Sequence, residues 1–208
     1  TLGPGGAKRS DGFSTVGAGI GLRHPLNREW ALTAGLNGNK RMHHDQDRFD
    51  TGAADAHLGL VRTYGKNVFS AALQYNQFWL DNDRYREATG IIAKWQHNYD
   101  ARNQSSLFVQ YAGLDYMSQE MRNADRFVLG ANFAHARPGF KTVFYGGAYV
   151  GEEVARKDAF PHFGHTLWGL RVGAQHEFNP NVKAFANLGY EDRRYDGTDP
   201  FFLKTRHV

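Results

Sequence analysis

The sequence contains no cysteine, which excludes disulfide staples, Cys-ligated zinc and thiol nucleophiles. It also lacks any run approaching the roughly 18 apolar residues of a membrane-crossing helix. Proline is scarce, at 6 of 208 positions, whereas glycine occupies 24 and aromatic residues make up 14%. That balance is the composition of many packed strands. The mean hydropathy of −0.60 resembles that of a soluble protein. A barrel wall, however, needs apolar side chains only at alternate positions, so its average hydropathy stays low. Charge of one sign is not concentrated anywhere: 25 basic and 21 acidic residues are dispersed along the chain, for a net +4. A net +4 would suit an anionic partner such as nucleic acid or lipopolysaccharide, but such dispersion argues only weakly for any particular one, and no nucleic-acid partner is expected. The first residues, Thr1 to Gly6, do not form a signal peptide, and the chain reads as a processed or excised piece.

What the sequence does contain is period-2 alternation along its whole length. Val16, Ala18, Ile20 and Leu22 form one apolar face, opposite Thr15, Gly17, Gly19 and Gly21. The pattern resumes with Trp30, Leu32, Ala34 and Leu36, then Ala54 to Leu60, then Phe69 to Tyr75. Later segments carry Ile91, Ala93, Trp95; Leu107, Val109, Tyr111; Phe127, Leu129, Ala131, Phe133; Trp168 to Ala174; and Val182 to Tyr190. Phe108 interrupts the polar face of the sixth segment, and both faces of the eighth, about Lys141 to Gly151, are apolar or glycine. Opposing faces carry Lys94, Gln96, Asn132, Arg171, Gln175, Lys183, Asn187 and Glu191.

Short turns fall near residues 26, 66, 100, 139 and 180, and longer polar segments lie between them: Met42–Thr51, Asp81–Arg86, Ser118–Asp125, Glu152–Gly164 and Tyr195–Arg206. Short turns on one side and long loops on the other are the wiring of an outer-membrane barrel. Strands of about 10 to 13 residues cross a bilayer at a tilt. The expected fold is therefore all-β, an antiparallel transmembrane β-barrel with about ten strands present, forming one domain over 1–208. Aromatics near strand ends (Trp30, Phe69, Tyr75, Trp95, Phe127, Tyr145, Phe178, Tyr190) are expected to form interfacial girdles.

Chemistry-bearing candidates are few. Gly17-Ala18-Gly19-Ile20-Gly21 has the glycines of a phosphate loop, but they alternate on a strand with no helix after them. His43-His44-Asp45-Gln46-Asp47, with Arg48 and Asp50, has metal-ligand types in a polar loop without a scaffold. His162 and His165 are judged alike. Ser70, Ser105, Ser106, His57, His97 and His135 are the material of a hydrolase, yet no spacing marks a triad. The expectation is a non-enzyme with no catalytic residue, metal or cofactor. Arg62, Lys94, Arg171, Lys183 and Glu191 are expected to face the lumen, paired there or lining an aqueous path.

The segment Tyr195-Asp196-Gly197-Thr198-Asp199-Pro200-Phe201-Phe202-Leu203-Lys204-Thr205-Arg206 resembles a Y-x-G-x-D-P-x-F-x-x-x-R stretch of the surface lipoprotein assembly modifier family. Leu22-Arg23-His24-Pro25-Leu26 before Trp30, and Gly169-Leu170-Arg171-Val172-Gly173, are similar to that family's barrel too. The resemblance implies a barrel of about fourteen strands, of which some would be missing here, preceded by periplasmic helical repeats. It implies a bacterial outer-membrane protein that helps deliver lipoproteins or related secreted proteins to the cell surface. The implied partners are outer-membrane lipids and lipopolysaccharide around a monomeric barrel, with a lipoprotein or secreted client. Asp199, Pro200, Phe201, Phe202 and Arg206 then become a candidate plug or client-contact loop. Two other readings remain open: an exopolysaccharide-export or general porin barrel, and a soluble β-barrel around a small apolar ligand.

Overall fold

Each alternating segment folds as a strand. The computed structural model describes residues 12–44, 49–157, 159, 161–180 and 182–197. Its strands are β1 (Phe13–Pro25), β2 (Trp30–His43), β3 (Thr51–Tyr64), β4 (Asn67–Leu80), β5 (Asp83–Asn98), β6 (Asn103–Tyr116), β7 (Ala124–Ala136), β8 (Thr142–Ala155), β9 (His165–Asn179) and β10 (Val182–Tyr195). They form one antiparallel sheet in chain order, each strand hydrogen-bonded to its sequence neighbours. Among the described residues, β1 and β10 each have one neighbour. Single 3-10 turns, Glu120–Arg122 and Pro161–Phe163, sit in the loops before β7 and β9.

The turns follow from local chemistry. Asn27 Oδ1 accepts the amides of Glu29 and Trp30, both at 2.9 Å, closing the β1–β2 turn. Asp100 Oδ1 accepts those of Arg102 and Asn103 at 2.7 and 2.9 Å between β5 and β6. Such side-chain acceptors imitate a backbone turn. The bond from the Asn103 side chain to Asp100, with those from the two amides, holds that carboxyl below its ordinary value. One expectation needs correcting here: Asp81–Arg86 is not a long loop. β4 runs to Leu80 and β5 begins at Asp83, joined by Asp81-Asn82 at φ 53° and 62°. Two consecutive left-handed residues make the tight hairpin turn whose twist matches the strands, and Asn and Asp tolerate it. The strands are correspondingly longer than expected, at 13 to 16 residues.

Register reveals tilt. One row runs Trp30, Arg62, Phe69, Trp95, Leu107, Ala131, Ala148, Leu170, Tyr190 across β2 to β10. It begins at the first residue of β2 and ends at the ninth of β10. That steady climb is the stagger a sheet needs when it curls into a barrel with inclined strands. Curling is direct: Arg86 on β5 and Arg193 on β10 line a single cavity, whereas five strand spacings in a flat sheet would separate them by about 24 Å.

The two faces differ in kind. The convex face presents large apolar side chains, with Ile20 73% and Leu188 76% exposed. The buried residues lie on the concave face, among them Leu114, Ala124, Val128 and Leu167. A soluble barrel around an apolar ligand would reverse this arrangement, keeping its large apolar side chains inside. Among the described residues no helix is long and apolar enough to cross a membrane, and the strands supply the apolar surface instead. Leu73 and Gln74, adjacent in mid-β4, test the assignment. Leu73→Arg on the convex face should cost ~2–4 kcal/mol in urea unfolding from lipid vesicles, and Gln74→Arg on the concave face well under half of that. Equal costs would refute the orientation.

Candidate functional site on the concave face

The concave face is organised as rows that alternate large and small residues across strands. One row reads Ser70, Lys94, Phe108, Gly130, Tyr149, Gly169, Glu191 from β4 to β10. The Phe108 ring lies where a side chain at Gly130 would start, and the Tyr149 ring covers Gly169. By crossing β9 over that glycine, the Tyr149 hydroxyl reaches Glu191 on β10 and donates to it at 2.5 Å. A parallel row places Tyr145 over Gly173, its hydroxyl donating to Asn187. Between them, Arg171 stands in register with Gly147 and Gly189. The Gly169-x-Arg171-x-Gly173 pattern is thus one strand's inward edge, its glycines left empty for tyrosines from β8. This accounts for Phe108 and for the apolar inner face of β8. It also corrects the girdle assignment of Tyr145, which turns inward because Gly173 leaves room for its ring.

The five residues expected to face the lumen do not form one site. Lys94 and Arg171 share a polar cavity of about 230 Å³ with Ser106 and Asn132. Glu191 is engaged by Tyr149 and by Arg193, whose Nε donates at 2.6 Å. Lys183 sits at the short-turn end, ion-paired with Glu177 at 3.0 Å. Arg62 is a correction: it stands on the convex face, between Trp30 and Phe69 in the row above. There it pairs with Glu29 at 3.1 Å and lies over the Trp30 and Tyr64 rings. Its position at the strand end lets the guanidinium reach polar partners at the rim while its stem covers apolar surface. The candidate loop residues Asp199, Pro200, Phe201, Phe202 and Arg206 lie outside the described residues.

The other candidates are placed as follows. Gly17, Gly19 and Gly21 lie within β1, in extended backbone paired with β2. The His43 amide donates to Asp50 Oδ1 at 2.7 Å, while residues 45–48 lie outside the described residues. Among the described residues, the candidates Ser70, Ser105, Ser106, His57, His97 and His135 do not pair with one another in the bonds they make. Ser105 bonds Tyr99 and Ser106 accepts from Asn132. His97 bonds Asn67 at 2.9 Å, His135 bonds Asn103 at 2.8 Å, and His176 bonds Thr142 at 2.8 Å. These three pairs form a repeat that pattern reading missed. In each, a histidine near the end of an odd strand meets the first residue of the preceding even strand.

Charge is collected at the long-loop end. On the convex side Arg156 clamps Asp115 at 2.7 Å and Asp125 at 3.0 Å. Chiefly through its hydrogen bond to Asp125, that guanidinium is held above its ordinary value. On the concave side Arg86, Arg122, Arg126, Arg193 and His165 surround a cavity of about 270 Å³. The sequence does not show this cluster, because Arg86 closes a polar stretch with the look of a loop and only register aligns Arg126 with Glu153 and His165.

The geometry so far is that of a curled antiparallel sheet, apolar on its convex face and carrying its polar groups on the concave one. A family model described as surface lipoprotein assembly modifier matches residues 8–207. The chain belongs to that family. Among solved structures, this family member is similar to OmpT, an outer membrane protein of Vibrio cholerae, in its trimer form. The TM-score is 0.53 at 11% identity, over 92% of this chain and 85% of that one. A loop L8 deletion mutant of the same protein gives 0.53 at 10% identity, over 87% and 92%. At such identities the likeness is one of fold. No curated protein matches the sequence. Family and fold together place this surface lipoprotein assembly modifier relative in the bacterial outer membrane as a β-barrel.

The Tyr149–Gly169 contact yields a test of the inner packing. A Cβ at residue 169 would lie 2.3 Å from the Tyr149 ring, so Gly169→Val should destabilise the barrel by ~1–3 kcal/mol. Most of that loss should vanish in a Tyr149→Ala background, read from urea midpoints in lipid vesicles. Undiminished loss there would exclude the ring as the cause.

Proposed function

We propose that this outer-membrane barrel assists the transfer of lipoproteins, or related secreted proteins, to the cell surface. The observation that carries the reading is membership of the surface lipoprotein assembly modifier family over residues 8–207. The wall chemistry supports it. Apolar rows on the convex face meet lipid and lipopolysaccharide, while Lys94, Asn132, Arg171 and Glu191 give the concave face a hydrophilic lining. A partly unfolded client can exchange hydrogen bonds with such a lining without burying its backbone in hydrocarbon. The reading involves no covalent step, no cofactor and no nucleic acid, and treats the barrel as monomeric. The Asp199, Pro200, Phe201, Phe202 and Arg206 loop is its candidate plug or client contact.

Deletion of the gene in its native host, followed by protease shaving of intact cells, tests the proposal. Surface lipoproteins should become protected from protease while their total amount persists. Unchanged display, together with steady ion conductance of the purified protein in planar bilayers, would replace the reading with a porin-type one.

A further inference from the structure

The guanidinium cluster at the long-loop end of the concave face has no part in the role just described. The ladder sets Arg126, Glu153, His165 and Tyr195 in one row across β7 to β10. Arg86 enters from β5, in register with Tyr116, and Arg122 from the 3-10 turn before β7. With Arg193 they line one cavity of about 270 Å³. Among the described residues that line this cavity or bond its arginines, four guanidinium groups face two carboxylates: Glu153 in the cavity wall and Glu191, which holds Arg193 at 2.5 Å. Four positive and two negative charges leave a formal surplus of +2, counting His162 and His165 as neutral.

The surplus resides on identifiable atoms. Two of the arginines are already fixed. Arg122 donates to the Tyr85 hydroxyl at 2.6 Å with the Tyr116 and Phe163 rings against it, and Arg193 is held by Glu191. The other two are not. Arg86 Nε and Arg126 Nε, and His165 Nδ1 beside them, are sealed from solvent without a hydrogen-bond partner among the described residues. Neither Arg86 nor Arg126 makes an ion pair there. Buried donors are nearly always satisfied, and each exception calls for an explanation such as an ion. Guanidinium forks match tetrahedral oxyanions in charge and in bidentate geometry. A divalent oxyanion would cancel the surplus of +2, and the small cavity admits a compact group more readily than a stretch of polypeptide.

We propose that this cavity binds a small divalent oxyanion of the phosphate type, free or carried as a phosphomonoester, between Arg86 and Arg126. Arg122 and Arg193 form its fixed flanks, and Glu153 sets the limit on how much negative charge is accepted. The site is independent of client transfer and stands or falls separately from it.

Isothermal titration of the folded protein in detergent, at fixed ionic strength, tests the proposal with inorganic phosphate as the probe. Saturable one-site binding is expected. The double variant R86Q/R126Q should weaken it by about tenfold or more. Arg156→Gln, whose side chain belongs to the convex face, should leave it unchanged. If the double variant fails to fold, Arg126→Lys keeps the charge but loses the fork, and should still weaken binding several-fold. Glycerol phosphate is the second probe: equal affinity assigns a phosphomonoester, and weaker affinity assigns the free ion. The proposal is overturned if folded wild-type protein binds no phosphate saturably, or if Arg126→Lys binds it as tightly as wild type. Tighter binding of a hexaglutamate peptide than of phosphate would overturn it too, assigning the cluster to acidic polypeptide.

Discussion

The backbone hydrogen-bond ladder is the constraint on which everything else in this structure depends. In hydrocarbon an unpaired amide or carbonyl has no water to turn to, so each strand must find its partners within the sheet. Chain-order pairing meets that demand for β2 to β9 with hairpins alone, while among the described residues β1 and β10 are paired along one edge each. Long strands and tight turns such as Gly65-Lys66 and Asp81-Asn82 follow, because each loop residue removed from the ladder has to be solvated elsewhere. The climbing register follows as well, since a sheet that curls on itself must incline its strands.

Once the ladder is fixed, side chains have two surfaces to fill, and the two are filled by different physics. The convex surface needs only to be apolar, so Leu, Ile, Val and Phe recur there with little demand on shape. The concave surface is crowded, and its solution is geometrical: glycine on one strand receives an aromatic ring from the strand before it. Phe108 with Gly130, Tyr149 with Gly169 and Tyr145 with Gly173 repeat that device. The tyrosines do more than pack, because their hydroxyls bridge β8 to β10 and hold the curl.

Charge then settles where it can be solvated or paired. At the short-turn rim Arg62 reaches Glu29 and two aromatic rings without leaving the apolar face. At the opposite end Arg156 joins two aspartates outside, and the arginines of β5, β7 and β10 converge inside. That convergence is a product of curvature, since residues 86 and 193 have no local reason to meet.

Much of the architecture was legible in the residues alone. Alternation marks nine of the ten strands, β8 being apolar on both faces, and the turns at Tyr64–Asn67 and Asn98–Asn103 fall where Gly and Asn interrupt it. The motif ending at Arg206 pointed to the family that residues 8–207 match. What failed to be legible has a common cause. Asp81-Asn82 looked like the start of a loop because its polarity outweighed its fitness for left-handed backbone. Arg62 has the chemistry of an inward residue, yet the strand period places it with Leu58 and Leu60 on the apolar face. Tyr145 had no period to follow, because β8 is apolar on both sides. The sequence by itself determined which residues alternate, and so the strands, their order and the apolar wall, because those depend on neighbours one and two positions apart. Only the tertiary structure decided which glycine receives which ring and which arginines share a cavity. Those contacts depend on register and curvature, which are set by the whole sheet.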